Sequence, residues 1–385
     1  MAVGRTLKSE ILSLLKKFPI VTLTGTRQCG KTTLLRESLP DFGYVSLEPP
    51  DIREFAARDP RGFLKEFGSP CIIDEAQQVP ELFSYLQSLV DDSGKMGEYI
   101  LSGSHNFLLM QNITQSLAGR TAVLRLAPFS ITELKRADIE PETVIDQMFK
   151  GFYPAIYARN IEPPEYFMSY IQTYIERDVR QIKNIVDTGM FIRFVRLCAA
   201  RSGQVLNRTE LAASCGITVP TVNAWLSVLE QSYIISFLHP YYNNYSKRLV
   251  KSPKLYFNDT GLMCNMLGIE SADELDSSPL KGAVFETMMI NEYIKSRYFK
   301  VKEIGGYFWR DTNGNEVDLL VEEKGRLKAY EIKLSHTMNI KFLNDLQKFK
   351  KLSGMKAENV ACIYSGDRNV HASYGNFLRY DKVFE

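Results

Sequence analysis

The sequence predicts an α/β protein in three parts: a parallel sheet covered by helices over residues 1–145, a helical and winged-helix domain over 146–275, and a small α/β domain over 276–385. Three observations predict it. Short apolar, β-branched runs alternate with helical stretches through the first third, as parallel strands joined by crossover helices do. Residues 207–233 read as two helices around a glycine turn. Residues 315–334 read as two charged strands around another glycine turn.

Bulk properties bound the reading. A chain of 385 residues has room for two or three domains, and 45% hydrophobic with 24% charged residues is ordinary for a globular protein. The net charge of +2 neither indicates nor excludes a nucleic-acid partner, so any basic surface must be local. No apolar run reaches a membrane span. The first 18 residues lack the apolar core and small-residue cleavage site of a secretory signal. Cysteines 29, 71, 198, 215, 264 and 362 form no CxxC pair and have no histidine at ligand spacing. Buried free thiols and a cytoplasmic location are the expectation.

The first strand is expected within residues 18–24 (FPIVTLT). A loop follows, then a helix over Lys31–Ser38. Further strands are expected at Tyr44–Leu47, Cys71–Asp74, Tyr99–Ser102 and Ala122–Leu126, with helices over Pro80–Val90 and Asn106–Leu117. The loop Gly25-Thr26-Arg27-Gln28-Cys29-Gly30-Lys31-Thr32 matches GxxxxGK[ST], and Thr33 continues it. Its glycines let the backbone curl so that N–H groups face phosphate oxygens, at a helix N-terminus that favours anions. Lys31 then reaches the β- and γ-phosphates of ATP, and the Thr32 hydroxyl ligates Mg²⁺. Roughly 40 residues after the loop, Cys71-Ile72-Ile73-Asp74-Glu75 is an apolar strand ending in two acids. Asp74 is the expected second holder of the metal. Glu75 is the expected general base, or else a first-turn acid facing a helix dipole. Ser102 and Ser104 end the next strand, where Ser104 either senses the γ-phosphate or caps a turn. Arg120 opens the following strand, either as a charge-neutralising arginine in its own or a neighbouring subunit, or as a solvated surface residue.

Segments Gly25–Thr33, Ile72–Glu75, Leu101–Ser104 and Leu117–Thr121 resemble the AAA-type ATP-binding domain of a large family of prokaryotic two-part ATPases. In that family a domain of unknown function, DUF4143, follows the ATPase. Gly151–Tyr157 and Tyr174–Arg180 are similar to its second part, so the resemblance covers most of the chain. It implies an AAA+-like P-loop ATPase, with Arg120 as a trans-acting or sensor arginine and a homo-oligomeric ring.

In the middle, a helix bearing Leu211 and Ala212 ends at Gly216, and a second places Val222, Trp225, Leu226 and Leu229 at three-to-four spacing. Ile234–Leu238 completes a winged helix-turn-helix as a strand. Its second helix would present Thr218, Thr221, Asn223 and Ser227 to a DNA major groove. Arg201, Arg208, Lys247, Arg248 and Lys251 would supply phosphate contacts. The alternative is a protein-packing module.

At the C-terminal end, a two-residue turn at Lys324-Gly325 makes opposed residue numbers add to 649. Asp318 then faces Glu331 and Glu316 faces Lys333, all four on one face. Opposed like charges are destabilising, and a cation between Asp318 and Glu331 removes that penalty. Glu286, on the preceding helix, is a third carboxylate, and Lys333 is placed to hold a water. This constellation resembles the PD-(D/E)xK nuclease core over roughly residues 280–365, with Val317 where that motif has proline. The resemblance implies Mg²⁺ held by Glu286, Asp318 and Glu331, and cleavage of DNA. The alternatives are a solvated hairpin face, or a nuclease fold kept for binding. The combined expectation is ATP turnover coupled to binding or cutting DNA. The competing expectation is a nucleotide-dependent switch for a protein partner.

Overall fold

The computed structural model describes residues 3–384 apart from 105–108, 110–112, 114, 175–186, 242–250 and 303. The expected helix over Asn106–Leu117 therefore lies only partly within the described residues. Residues 175–180 of the second-part motif, with Lys247 and Arg248, lie outside them.

The chain divides into two compact units. The first holds residues 1–129, 231–233 and 298–301. Strands β1 (Ile20–Gly25), β2 (Gly43–Ser46), β3 (Cys71–Asp74), β4 (Tyr99–Gly103) and β5 (Thr121–Leu126) form one sheet. Their order is β2-β3-β4-β1-β5, and all pairs are parallel. Strands β1, β3 and β4 are buried along their whole length, as in a sheet covered on both faces. The pleat sorts their side chains into two cores. Ile73 and Leu101 join Val45, Phe63, Phe83 and Leu86 on one face, while Ile72 and Ile100 join Ile11, Leu34, Leu35 and Leu124 on the other. From β1 the chain runs out to β2, returns through β3 and β4, and crosses over to β5. The carboxyl ends of β1, β3 and β4 thus meet at a topological switch point, where open α/β sheets bind ligands.

The second unit holds residues 130–230, 234–297 and 302–385. Helices Arg208–Cys215 and Val219–Gln231 are bent by 102° across a short break, the angle of a helix-turn-helix. Asn207 caps the first by accepting from the Glu210 N–H at 3.1 Å, and Gly216 ends it at φ 69°. Strands β6 (Ile235–Pro240) and β7 (Lys254–Phe257) follow as an antiparallel pair. Strand β8 (Gly306–Arg310) pairs with β6, and β9 (Glu316–Glu323), β10 (Arg326–Lys333), β11 (Val360–Tyr364), β12 (Val370–Ala372) and β13 (Gly375–Arg379) complete one eight-stranded sheet.

Strands from both sides of residue 275 share this sheet, and the second unit takes in the parts expected on either side of that residue. The Gly151–Tyr157 motif is structural. The Phe152 N–H donates to Asp259 at 2.8 Å, and Tyr153 packs among Tyr166, Phe167 and Tyr170. All six cysteines are buried and free. No single helix among the described residues is long and apolar enough to cross a membrane.

Candidate functional site

The phosphate-binding loop leaves β1 at Gly25, whose φ of 151° and closeness to the Leu126 carbonyl leave no room for a Cβ. Gly30, at φ 92°, turns the chain into the Lys31–Ser38 helix. Gln28 takes a left-handed φ of 62° without being glycine, local strain of the kind that collects at binding loops. The Lys31 ammonium, 7% exposed, donates to the carbonyls of Gly25 at 3.0 Å and Thr26 at 3.1 Å. Thr26 and Cys29 are buried, and Thr33 points outward. Cys29 anchors the loop, its thiol reaching the Leu126 carbonyl at 3.4 Å. Arg5, which nothing in the motif announces, clamps the same loop. Its guanidinium donates to Cys29 O at 2.8 Å and Ala127 O at 2.6 Å and lies 4.9 Å over the Phe129 ring.

Asp74 ends β3, 6% exposed, beside the loop. Its Oδ2 accepts from the hydroxyls of Thr32 at 2.7 Å and Tyr44 at 3.0 Å, and its Oδ1 from Ser102 Oγ and the Glu75 N–H at 3.1 Å. Burial and the Asp74 charge push the Tyr44 phenol up to about 12, so it stays a donor. Among the described residues these partners are all neutral. A carboxylate and a hydroxyl are hard oxygen donors of the kind Mg²⁺ selects, so Thr32 and Asp74 fit that ion.

Glu75 stands one residue further in a left-handed conformation, φ 53°. Its Oε2 accepts from Gln77 Nε2 and, at 3.2 Å, from Ser104 Oγ. Ser102 and Ser104 therefore orient the two acids, which is more than turn capping. Tyr44 and Gln77 are members of the site that the sequence reading missed.

Arg120 does not join them in this chain. Its guanidinium grips Asp91 at 2.6 and 2.7 Å, and its carbonyl accepts from Ile20 N. It precedes β5, so it sits at the amino ends of the parallel strands. One strand length of about 20 Å separates that edge from the loop. A sensor role within the same subunit is thereby corrected.

The C-terminal hairpin has the expected register. Lys324 and Gly325 both take positive φ, and pairs run from Arg326↔Glu323 to Tyr330↔Leu319. Beyond Tyr330, β10 pairs along its other edge with β11, while β9 stays with β8. The acids then find other partners. Lys333 bonds Glu331 at 2.6 Å and approaches Asp318 at 3.9 Å. Glu316, expected opposite Lys333, turns instead to Lys254 at 2.5 Å and Arg310 at 3.2 Å.

Lys254 is the residue that the hairpin reading lacked. It lies on β7, 1% exposed, with its ammonium 3.0 Å from Glu286, 2.5 Å from Glu316 and 3.8 Å from Asp318. Tyr256 OH donates to the same Glu286 oxygen at 2.7 Å. Burial and the neighbouring Asp318 raise the Glu286 carboxyl above its usual range, against the pull of Lys254. Among the described residues no group of three or more His, Cys, Asp or Glu side chains is arranged to hold a metal ion. The face does not fit the expected Mg²⁺, because an ammonium already stands among the acids.

On the helix-turn-helix, Thr218 and Asn223 are exposed while Thr221 and Ser227 are half-buried. Arg201 is engaged by Glu210 at 2.8 Å.

Three family models match the chain: an AAA domain over residues 17–135, a domain of unknown function, DUF8612, over 141–273, and a domain of unknown function, DUF4143, over 281–382. Uncharacterized proteins of Mycobacterium bovis and Mycobacterium tuberculosis are each 30% identical over 342 residues, covering 87% of this chain and 75% of theirs. Among solved structures, a Walker-type ATPase of Pyrococcus abyssi is similar at 17% identity and TM-score 0.47, over 69% of this chain and 96% of that one. AMPPCP-bound DnaA from Aquifex aeolicus is similar at 14% identity and TM-score 0.31, over 60% and 90%.

Proposed function

The chain belongs to the family of AAA-type ATPases that carry a DUF4143 domain, and from that premise we propose that it hydrolyses ATP at the Lys31–Asp74 site and uses the turnover to control binding of DNA by its second unit. The observation that supports the nucleotide half most is the setting of Asp74. Its partners are hydroxyls and one backbone N–H, so its charge is oriented but left for a cation.

Each residue then has a role. Loop N–H groups and Lys31 bind the phosphates, the lysine exchanging its hold on Gly25 O and Thr26 O for β- and γ-oxygens. Thr32 and Asp74 hold Mg²⁺, which when bound neutralises charge on the phosphate oxygens. Glu75, fixed by Gln77 and Ser104, takes a proton from the attacking water. Arg5 positions the loop. Phosphate-release assays on wild type and Lys31→Ala test this: the variant should fall to background, and retained turnover would overturn the assignment.

DNA binding rests on the helix-turn-helix geometry, with Arg208 and Lys251 as phosphate contacts. Duplex DNA titrated with and without a non-hydrolysable ATP analogue should give nucleotide-dependent affinity that falls with salt. A second reading is a nucleotide-dependent switch for a protein partner, with the nuclease-like part inert. The occupied acidic face and the Arg201–Glu210 pair favour it. Metal-dependent plasmid cleavage lost in Asp318→Ala would discard that reading.

A further inference from the structure

We infer that Lys254 is the resident cation of the acidic face formed by Glu286, Glu316 and Asp318: its ammonium stands where a divalent ion would, so the second unit works without a metal there, and removing the ammonium opens a divalent-cation site. The inference goes beyond the ATPase reading and does not depend on it.

The geometry comes from three elements. The helix Lys281–Phe299 supplies Glu286, β9 supplies Glu316 and Asp318, and β7 delivers Lys254 from the edge of the same sheet. Lys254 pairs with Leu238 across the β6–β7 ladder and with Val205 through an isolated bridge, so its backbone is fixed from two sides. The ammonium lies 5.7 Å from the Phe308 ring centroid, a further attraction for a cation. At 1% exposure the side chain is closed off from solvent.

Charge counting leads the same way. Glu286, Glu316, Asp318 and Glu331 are met by Lys254, Lys333 and Arg310 within ion-pair distance. Four acids facing three cations is close to balance. A divalent ion added to the set would make a buried site net positive, while one that replaced Lys254 would face the same carboxylates, which stand 2.5–3.8 Å from the ammonium and would close in to ligate it. A buried charge is retained only with compensation, so ammonium and metal are alternatives.

The test uses the full-length, nucleotide-free protein. Mn²⁺ binding is counted by electron paramagnetic resonance of the free ion for wild type, Asp318→Asn, Lys254→Met and the double variant. Wild type and Asp318→Asn should bind the same number of ions. Lys254→Met should gain one, and the double variant should lose it. Melting temperature gives a second readout: Lys254→Met should melt lower than wild type in EDTA and recover several degrees with Mn²⁺. A wild-type ion that disappears in Asp318→Asn would overturn the inference. So would a folded Lys254→Met that gains none. If Lys254→Met does not fold, the wild-type and Asp318→Asn counts decide alone.

Discussion

Asp74 and Asp318 are both buried aspartates close to a strand end and a lysine, yet their surroundings differ. Asp74 is held by three hydroxyls and a backbone N–H. Asp318 accepts the Ile332 N–H at 2.8 Å and lies between Lys254 and Lys333. Neutral donors orient a carboxylate without cancelling its charge, so a metal brought by a nucleotide is welcome. Ammonium groups cancel the charge, so a metal there is a competitor. Which donors surround an acid therefore decides its chemistry more than the acid's own motif does.

The comparison can be broken by measurement. Lys31→Ala should lower ATP turnover by about 10³-fold, the scale for losing a preorganised electrostatic contact to the reacting group. A smaller loss would place the phosphate-binding charge elsewhere. Lys254→Ala should leave turnover at the first unit intact but destabilise the second by about 3–5 kcal/mol in urea unfolding, the cost of stranding buried charges. Ser102→Ala removes only a neutral donor to Asp74 and should cost about 1.5–3 kcal/mol. Equal costs for the two would erase the distinction between the two acids.

Tyr44→Phe sharpens it further. The hydroxyl orients Asp74 without charging it, so the variant should raise the Mg²⁺ requirement for turnover a few-fold. The phenol keeps its proton until about pH 12, so the tyrosine donates at every pH from 6 to 10 and the deficit should be flat across that range. A deficit that vanishes toward pH 9 would mean that the phenol ionises early.

Legibility in the sequence followed contiguity. The phosphate loop lies on one continuous strand–loop–helix unit, Asp74 and Glu75 end one short apolar run further along, and β3 and the Lys31–Ser38 helix fall where the pattern puts them. The hairpin register was equally legible, because a two-residue turn fixes it. Lys254 was not. It stands 32 residues before Glu286 and 64 before Asp318, on a four-residue strand whose place beside β6 is a tertiary fact. Tyr44 read as an ordinary strand residue, since only the β2–β3 pairing brings its hydroxyl to Asp74. A shared sheet is a tertiary fact of the same kind: the linker-like Ser277-Ser278-Pro279 says nothing about whether strands on either side of it pair.

Arg120 is where strand direction was legible but unused. In a parallel sheet a residue that opens a strand lies at the amino edge, and the phosphate loop leaves the carboxyl edge, so the two are far apart whatever the side chain does. The arginine keeps its exposed pairing with Asp91, and exposed pairs contribute little to stability. Arg120→Ala should therefore leave the melting temperature unchanged within error. Its effect on turnover then separates two states of the protein. If a neighbouring subunit presents Arg120 to the loop, Arg120→Ala should be slow alone and partly restored on mixing with Lys31→Ala, because a mixed pair contains one intact loop facing one intact arginine. If it is a surface residue, turnover stays at the wild-type rate and mixing changes nothing, and the trans role goes with it.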